Sequence, residues 1–331
     1  DGQGHVVRNL TVTRPKQSSY PYAGLFGRVS GGTIKNLGVE QAKIEMTYIY
    51  PVYAGTIAGS ITGESVIENC YGEGSIYAEV TTSGSGTFSA GGLVGQAYGN
   101  QGQTNTIRSC YSRTTLTTDG RYKAGLGGIL GVAEKGGAGA GQPHVLLQNC
   151  VNLGAVQNSI AVAGGMINIC SGGLIGTVQD CTAQIQSSGN RGPVTAKDLY
   201  NGDRDIAMRN YAYAGGLGGL NSEAVLTIAD CYSSGDVLAL DNQTGACSGG
   251  LIGGSDDMCT VERCYVSGSV TAENLNEGTD YACGLLGYST GVGTVIEDCF
   301  VLTGEISSAH GNAWTVCTPG ASLQNVWVLT P

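Results

Sequence analysis

Catalytic chemistry has few residues to draw on in this chain. Its 331 residues include three histidines, His5, His144 and His310. None belongs to the His-Glu-x-x-His pattern, which sets two zinc ligands one helical turn apart with a general base between them. That argues against metal-dependent proteolysis. A Ser-His-Asp site is not excluded by order along the chain, but no Gly-x-Ser-x-Gly elbow precedes a helix. The histidines read as exposed loop residues. Glycoside cleavage needs two carboxyl groups facing one bond, and Asp256-Asp257 and Asp203/Asp205 are the best candidates. Adjacent carboxylates on a loop are more often solvated turn residues, and no repeated Asp-containing loop points to Ca2+. We expect no catalytic residue, no metal site and no cofactor.

Aromatic residues offer contact rather than catalysis. Tyr71, Tyr111, Tyr232, Tyr265, Phe300 and Trp327 each directly follow one recurring position. Neighbours in a strand face opposite sides, so if that position points inward these rings point outward. The last four belong to consecutive repeats and are expected to form a stacked outer strip. A second column, Tyr22, Tyr53, Tyr213 and Tyr281, precedes a Gly-rich stretch. Exposed aromatic strips mark interaction sites; the alternative is rings that stiffen a sheet or lie under loops. The six residues of the first column are the candidate ligand-binding residues.

A repeat must position these rings. It reads Gly-Gly-Leu-Val/Ile-Gly, a variable stretch, x-Ile-x-Asn/Asp-Cys-Tyr, and then Gly-x-Val/Ile. Its cysteines are Cys70, Cys110, Cys150, Cys181, Cys231, Cys264 and Cys299, with Leu37 and Val326 in a first and a last copy. Self-similarity at a period of roughly 20–50 residues marks a solenoid. Gly-rich elements such as Ala90–Gly95 and Gly249–Gly253 read as short strands whose glycines turn the backbone at positive φ. The second element includes Val66–Cys70, Thr106–Cys110 and Thr177–Cys181. Ile67 and Cys70 are three apart and cannot both face inward on a straight strand, so the chain must bend between them. The residue before the cysteine is Asn36, Asn69, Ser109, Asn149, Asp180, Asp230, Arg263, Asp298 or Asn325. Asn and Asp best tolerate a left-handed conformation, and each side chain is expected to bond the backbone of its own turn. A third strand follows at Ser75-Ile76, Ala155-Val156, Asp236-Val237, Ser269-Val270 and Glu305-Ile306. Together these predict an all-β fold, a right-handed parallel β-helix of about nine coils with three short strands each. It forms a single domain over residues 1–331. The longest loops are expected at Gln184–Tyr213 and Glu134–Val145.

The chain has 12 cysteines. Those of the ladder alternate with Ile and Val as if filling a core, and a free cysteine behaves as a small buried hydrophobe. Cys247 shares its place with Tyr213 and Tyr281, so in strict register it has no thiol neighbour. Free thiols are expected throughout, with Cys259 and Cys317 in loops or at an end. Net charge is −10 and charged residues are 13%. No basic stripe is present to bind nucleic acid, and no apolar run is long enough to span a bilayer. Asp1-Gly2-Gln3-Gly4-His5 reads as the middle of a coil, as in a piece of a larger secreted protein. Asn9-Leu10-Thr11 and Asn242-Gln243-Thr244 match the glycosylation acceptor pattern.

Gly91-Gly92-Leu93-Val94-Gly95, Gly172-Gly173-Leu174-Ile175-Gly176 and Gly249-Gly250-Leu251-Ile252-Gly253, each with its following Cys-Tyr or similar step and Gly-x-Val, resemble GLUG-motif repeats. The likeness covers essentially the whole chain. It departs most in repeats four and five, where Val151 and Thr182 replace the tyrosine. The resemblance implies a secreted or surface-anchored bacterial protein, either adhesin-like or a non-catalytic region of an immunoglobulin A-specific metallo-endopeptidase, and supplies no catalytic residues. The expected function is a non-enzymatic extracellular module that presents loops and aromatic columns to a glycan or a surface protein. A carbohydrate-active β-helix enzyme and a subunit that stacks end to end are the alternatives.

Overall fold

The computed structural model describes residues 1–14, 21–48, 51–80, 87–100, 102–120, 124–135, 144–160, 168–200, 211–242, 244–276, 278–290 and 293–329. Among them the chain forms strands and no helix. The strands stack in parallel into three sheets of 23, nine and eight strands, here sheets A, B and C. This is a parallel β-solenoid. The eight strands of sheet C make the turns that pass through all three sheets slightly fewer than the nine expected.

One turn shows the path. Phe88–Gly91 lies in sheet B, Val94–Gly99 in sheet C, and Thr104–Arg108 and Tyr111–Gly120 in sheet A. Sheet A bends at the residue before the cysteine, as the spacing of Ile67 and Cys70 requires. Asn36, Asn69, Ser109, Asn149, Asp230, Arg263, Asp298 and Asn325 all take left-handed φ angles, between 49° and 56°. Their side chains do not turn back on their own loops as expected. Asn69 Nδ2 donates to Asn36 Oδ1 at 2.7 Å, Asn325 Nδ2 to Asp298 Oδ1 at 3.0 Å, and Arg263 Nε to Asp230 Oδ1 at 2.6 Å. The corner column therefore ties one level to the next.

Cys181 stands outside the ladder. Leu147 pairs with Ile185 and Ile185 with Ile228, which puts Ser188 between Cys150 and Cys231. Asp180 has a left-handed φ of 52°, but so does Glu223, its counterpart at the corner between sheets C and A. Asp180-Cys181 thus imitates the motif at a different corner, and the strand of this turn is Thr182–Gln186 rather than Thr177–Cys181. Most of the first half of the expected Gln184–Tyr213 loop is sheet, because Gly189–Asn190 and Val194–Asp198 continue the turn. Residues 201–210, with Asp203 and Asp205, lie outside the described residues, as do 136–143 of the Glu134–Val145 loop.

The motif glycines also serve a purpose other than the one expected. None of Gly91, Gly92 or Gly95 has a positive φ; what each requires is room. A Cβ on Gly91 would lie 1.9 Å from the Val94 carbonyl oxygen. One on Gly92 would lie 2.1 Å from Ser112 Oγ, and one on Gly95 2.4 Å from the Ala54 nitrogen. The corner between sheets B and C is therefore pressed against sheet A. Gly128, Gly173 and Gly216 meet Asn152, Asn190 and Ser233 in the same way. This pinch separates two columns of core. One, between sheet C and the first half of sheet A, is built of Ile, Leu, Val and the ladder cysteines. The other, between sheet B and the second half of sheet A, is rich in Ala. At the B–C corners from Ile57 onward two successive N–H groups share one carbonyl: Leu93 and Val94 both donate to Ile129, and Ile129 and Leu130 to Leu174.

The ladder thiols are more than filler. Cys110 Sγ donates to the Arg108 carbonyl at 3.0 Å and accepts the Cys70 N–H at 3.4 Å. Ser188 Oγ does the same, donating to the Gln186 carbonyl at 2.8 Å and accepting the Cys150 N–H at 3.0 Å. Cys247 lies between Tyr213 and Tyr281 in register. Cys259 is not in a loop: it begins the strand Cys259–Glu262 and is buried in the larger core.

Candidate ligand-binding faces

The outer face of sheet A carries the first aromatic column. Register orders it as Gly38, Tyr71, Tyr111, Val151, Gly189, Tyr232, Tyr265, Phe300 and Trp327. The six expected rings fall into two groups separated by Val151 and Gly189. Three pairs of rings on adjacent levels stack: Tyr71 on Tyr111 at 4.8 Å, Tyr232 on Tyr265 at 5.5 Å, and Phe300 on Trp327 at 4.7 Å.

The rings differ in availability. Tyr71 is half-buried over Gly38, and its hydroxyl donates to Glu40 at 2.8 Å. That bond, reinforced by burial, pushes its hydroxyl pKa up to about 12. It also holds the Glu40 carboxyl below the usual range, with help from Arg8. Arg113 sits 5.3 Å from the centre of the Tyr111 ring while bonding Glu73. Tyr232 is half-buried against Gly189, and Arg191 lies over its ring and donates to its hydroxyl at 3.0 Å. The expected four-ring strip is therefore three exposed rings: Tyr265, Phe300 and Trp327, at 40%, 44% and 48% exposure. Leu302 and Leu329, both exposed, extend the patch sideways. Sequence reading missed these two because they stand outside the repeated motif.

The second column lies in the concave cleft between sheets B and C. On the sheet B side it runs Tyr22, Tyr53, Ser89, Gly125, Cys170, Tyr213, Cys247 and Tyr281. Sheet C opposes it with Arg28, Ser60, Gln96, Val132, Thr177 and Leu220. The early part is polar: Ser60 donates to Gln96 at 2.8 Å, and Gln96 and Tyr53 both donate to Glu134 Oε1. The later part is filled by Cys170, Tyr213, Leu220 and Cys247 with Tyr211, Tyr281 and Tyr288 packed on them. Between these parts the cleft opens.

Among the described residues, Asp256 and the cleft carboxylate Glu134 are not placed as a hydrolytic pair. Asp256 follows the strand Ile252–Ser255 in the same outer column as Glu134, three levels further on. At the ~4.8 Å strand spacing that is about 14 Å, beyond the ~5–9.5 Å over which two carboxyl groups share one glycosidic bond. Burial and then Asp257 raise the Asp256 pKa, while Asp257 Oδ1 accepts the Met258 N–H within a turn. His144 is in a strand rather than a loop and is half-buried. His310 Nδ1 lies 3.2 Å from the buried Asp280. Among the described residues no group of three His, Cys, Asp or Glu side chains is placed to hold a metal ion.

The stretch from Thr244 to Thr271 passes through the B–C corner, the left-handed bend and the ring column in a single turn of the solenoid. Residues 244–271 match the family model of the GLUG motif. Its recurring residues have physical roles here: Gly249, Gly250 and Gly253 allow the pinch, Cys264 lines the larger core, and Tyr265 faces out. Register places the same roles on neighbouring turns, so the GLUG motif is one turn of this fold. Searches of curated proteins and of solved structures found no match.

Proposed function

We propose that this GLUG-repeat solenoid is a non-catalytic extracellular module that presents the outer face of sheet A to a glycan or to a surface protein. The observation that carries this reading is the exposed Tyr265, Phe300 and Trp327 column, with Phe300 and Trp327 stacked. Rings held flat by a rigid sheet lose little entropy on contact, and an exposed apolar patch with a polar surround is the usual form of an interaction site. The acidic net charge of −10 disfavours nucleic acid and anionic membrane as partners. Glycan and bacterial or host surface-protein arrays probed with the wild-type chain and with Tyr265→Ala/Phe300→Ala test it. Both rings are exposed, so the variant should keep its fold and lose the partner. An unchanged binding profile would remove this face from consideration.

A further inference from the structure

The cleft between sheets B and C contains a second site, on a different face from the aromatic patch. Its origin lies in the sheet B column. Large side chains, Tyr53 and Tyr213, flank three levels carrying only Ser89, Gly125 and Cys170. The missing volume leaves a concavity of about 70 Å3, partly open to solvent. That is below the ~300–1,000 Å3 of drug-sized sites and leaves room for one face or edge of a single small ring, the rest of which stands in the open mouth. Tyr53, Thr87, Ser89, Val132, Glu134 and Thr177 line it, with Gln179 at its rim and Gly125 as its floor.

The lining specifies a class of ligand. Hydroxyls of Tyr53, Thr87, Ser89 and Thr177 give and accept hydrogen bonds. Glu134 only accepts, and among the described residues both of its hydrogen bonds, from Tyr53 and Gln96, fall on Oε1. Its second oxygen is left for a ligand. Burial and then Glu134 raise the Tyr53 pKa, so the phenol stays protonated and orients the carboxylate. Among the described residues no Lys or Arg lines the cavity, and the carboxylate repels anions. We infer that the cavity between Tyr53 and Thr177 is a binding site for a neutral, hydroxyl-rich ring: a single sugar unit, alone or within a chain that lies along the cleft. Vicinal hydroxyls would donate to Glu134, the Ser89 and Thr177 hydroxyls would bond the opposite edge, and the Tyr53 and Val132 faces would pack on its C–H surface.

Saturation-transfer NMR on the full chain with neutral hexoses and N-acetylhexosamines, and choline as a cationic control, tests this. At least one sugar should show saturable binding and choline none. Gly125→Leu fills the cavity; the nearest atoms to a Cβ there are the Thr177 hydroxyl at 3.0 Å and the Gly131 carbonyl at 3.4 Å. It should abolish the signal, and Glu134→Gln should weaken binding about tenfold or more by loss of a charge-assisted bond. Thr177→Val, nearly isosteric, should weaken binding by about threefold to tenfold and guards against a folding defect in the larger variant. Tyr265→Ala/Phe300→Ala should leave sugar binding unchanged, which separates this site from the sheet A face. No signal from any sugar, preference for choline, persistence of the signal in Gly125→Leu, undiminished affinity in Thr177→Val, or loss of the signal in the Tyr265→Ala/Phe300→Ala chain would each overturn the assignment.

Discussion

The ladder cysteine answers a backbone requirement as well as a packing one. At each left-handed bend a carbonyl points inward, and in the level before it an N–H does the same. Cys110 and Ser188 satisfy both with one small side chain. A purely apolar residue fills the volume but leaves the donor stranded. Cys110→Val should therefore destabilise the chain more than Cys110→Ser, by about 1–3 kcal/mol, the cost of an unpartnered buried N–H. Urea unfolding of the two variants decides it; the reverse order would reduce the column to simple hydrophobic filler. Sequence reading identified the position but mistook Cys181 for a member. The dipeptide Asp180-Cys181 carries the local signal, and only the pairing of Ile185 with Leu147 and Ile228 shows which corner it occupies.

Two corners define the repeating element. The bend in sheet A is a left-handed residue at every level, where an L side chain other than Asn or Asp costs roughly 1–2 kcal/mol. Asn149, at a φ of 52°, tests this. Asn149→Ala should lower stability by about that amount and Asn149→Gly should restore most of it, read as shifts in thermal midpoint. Equal losses in the two would mean that the side-chain contacts of the corner column, not its φ, hold the bend. The other corner depends on close approach: six levels of Gly pack onto sheet A with no space for a methyl group. That element was visible in the sequence as a motif, but its reason was not, because steric contact with a residue some twenty positions away leaves no local mark. The charged pairs along the outer face, such as Arg113 with Glu73, are solvent-exposed and add little each.

Across the whole molecule, the titrating groups predict a stability plateau with two limbs. Glu40, Glu68 and Asp230 have lowered pKa values, through Tyr71, Arg108 and Arg263 respectively. Their contribution is complete above the unfolded carboxyl values of about 4 and is lost as pH falls through the lowered ones. Burial raises Cys181, Cys247, Cys259 and Cys283, the first and third to about 12. Their contribution is complete below the unfolded thiol value of about 8.5 and is lost as pH rises toward the folded values. Thermal midpoints should therefore be flat from about pH 5 to 8 and fall on both sides. A midpoint unchanged up to pH 11 would show that these thiols do not remain neutral in the folded chain.

The repeated spacing of Gly, Asn and Cys determined the solenoid by itself, because each turn must present the same residues to the same neighbours. It also determined the ring column, since period-two alternation sends the residue after a buried cysteine outward. Three things were decided only by tertiary structure. Which rings stay exposed depends on Arg191 and on Glu40, each more than thirty residues from the ring it contacts. Which turn lacks a ladder cysteine depends on strand register. The cavity depends on small residues, Ser89 and Gly125, falling at adjacent levels opposite Thr177 and Glu134. A cleft of this kind is a relation between two sheets, and a linear pattern encodes each sheet but not the space between them.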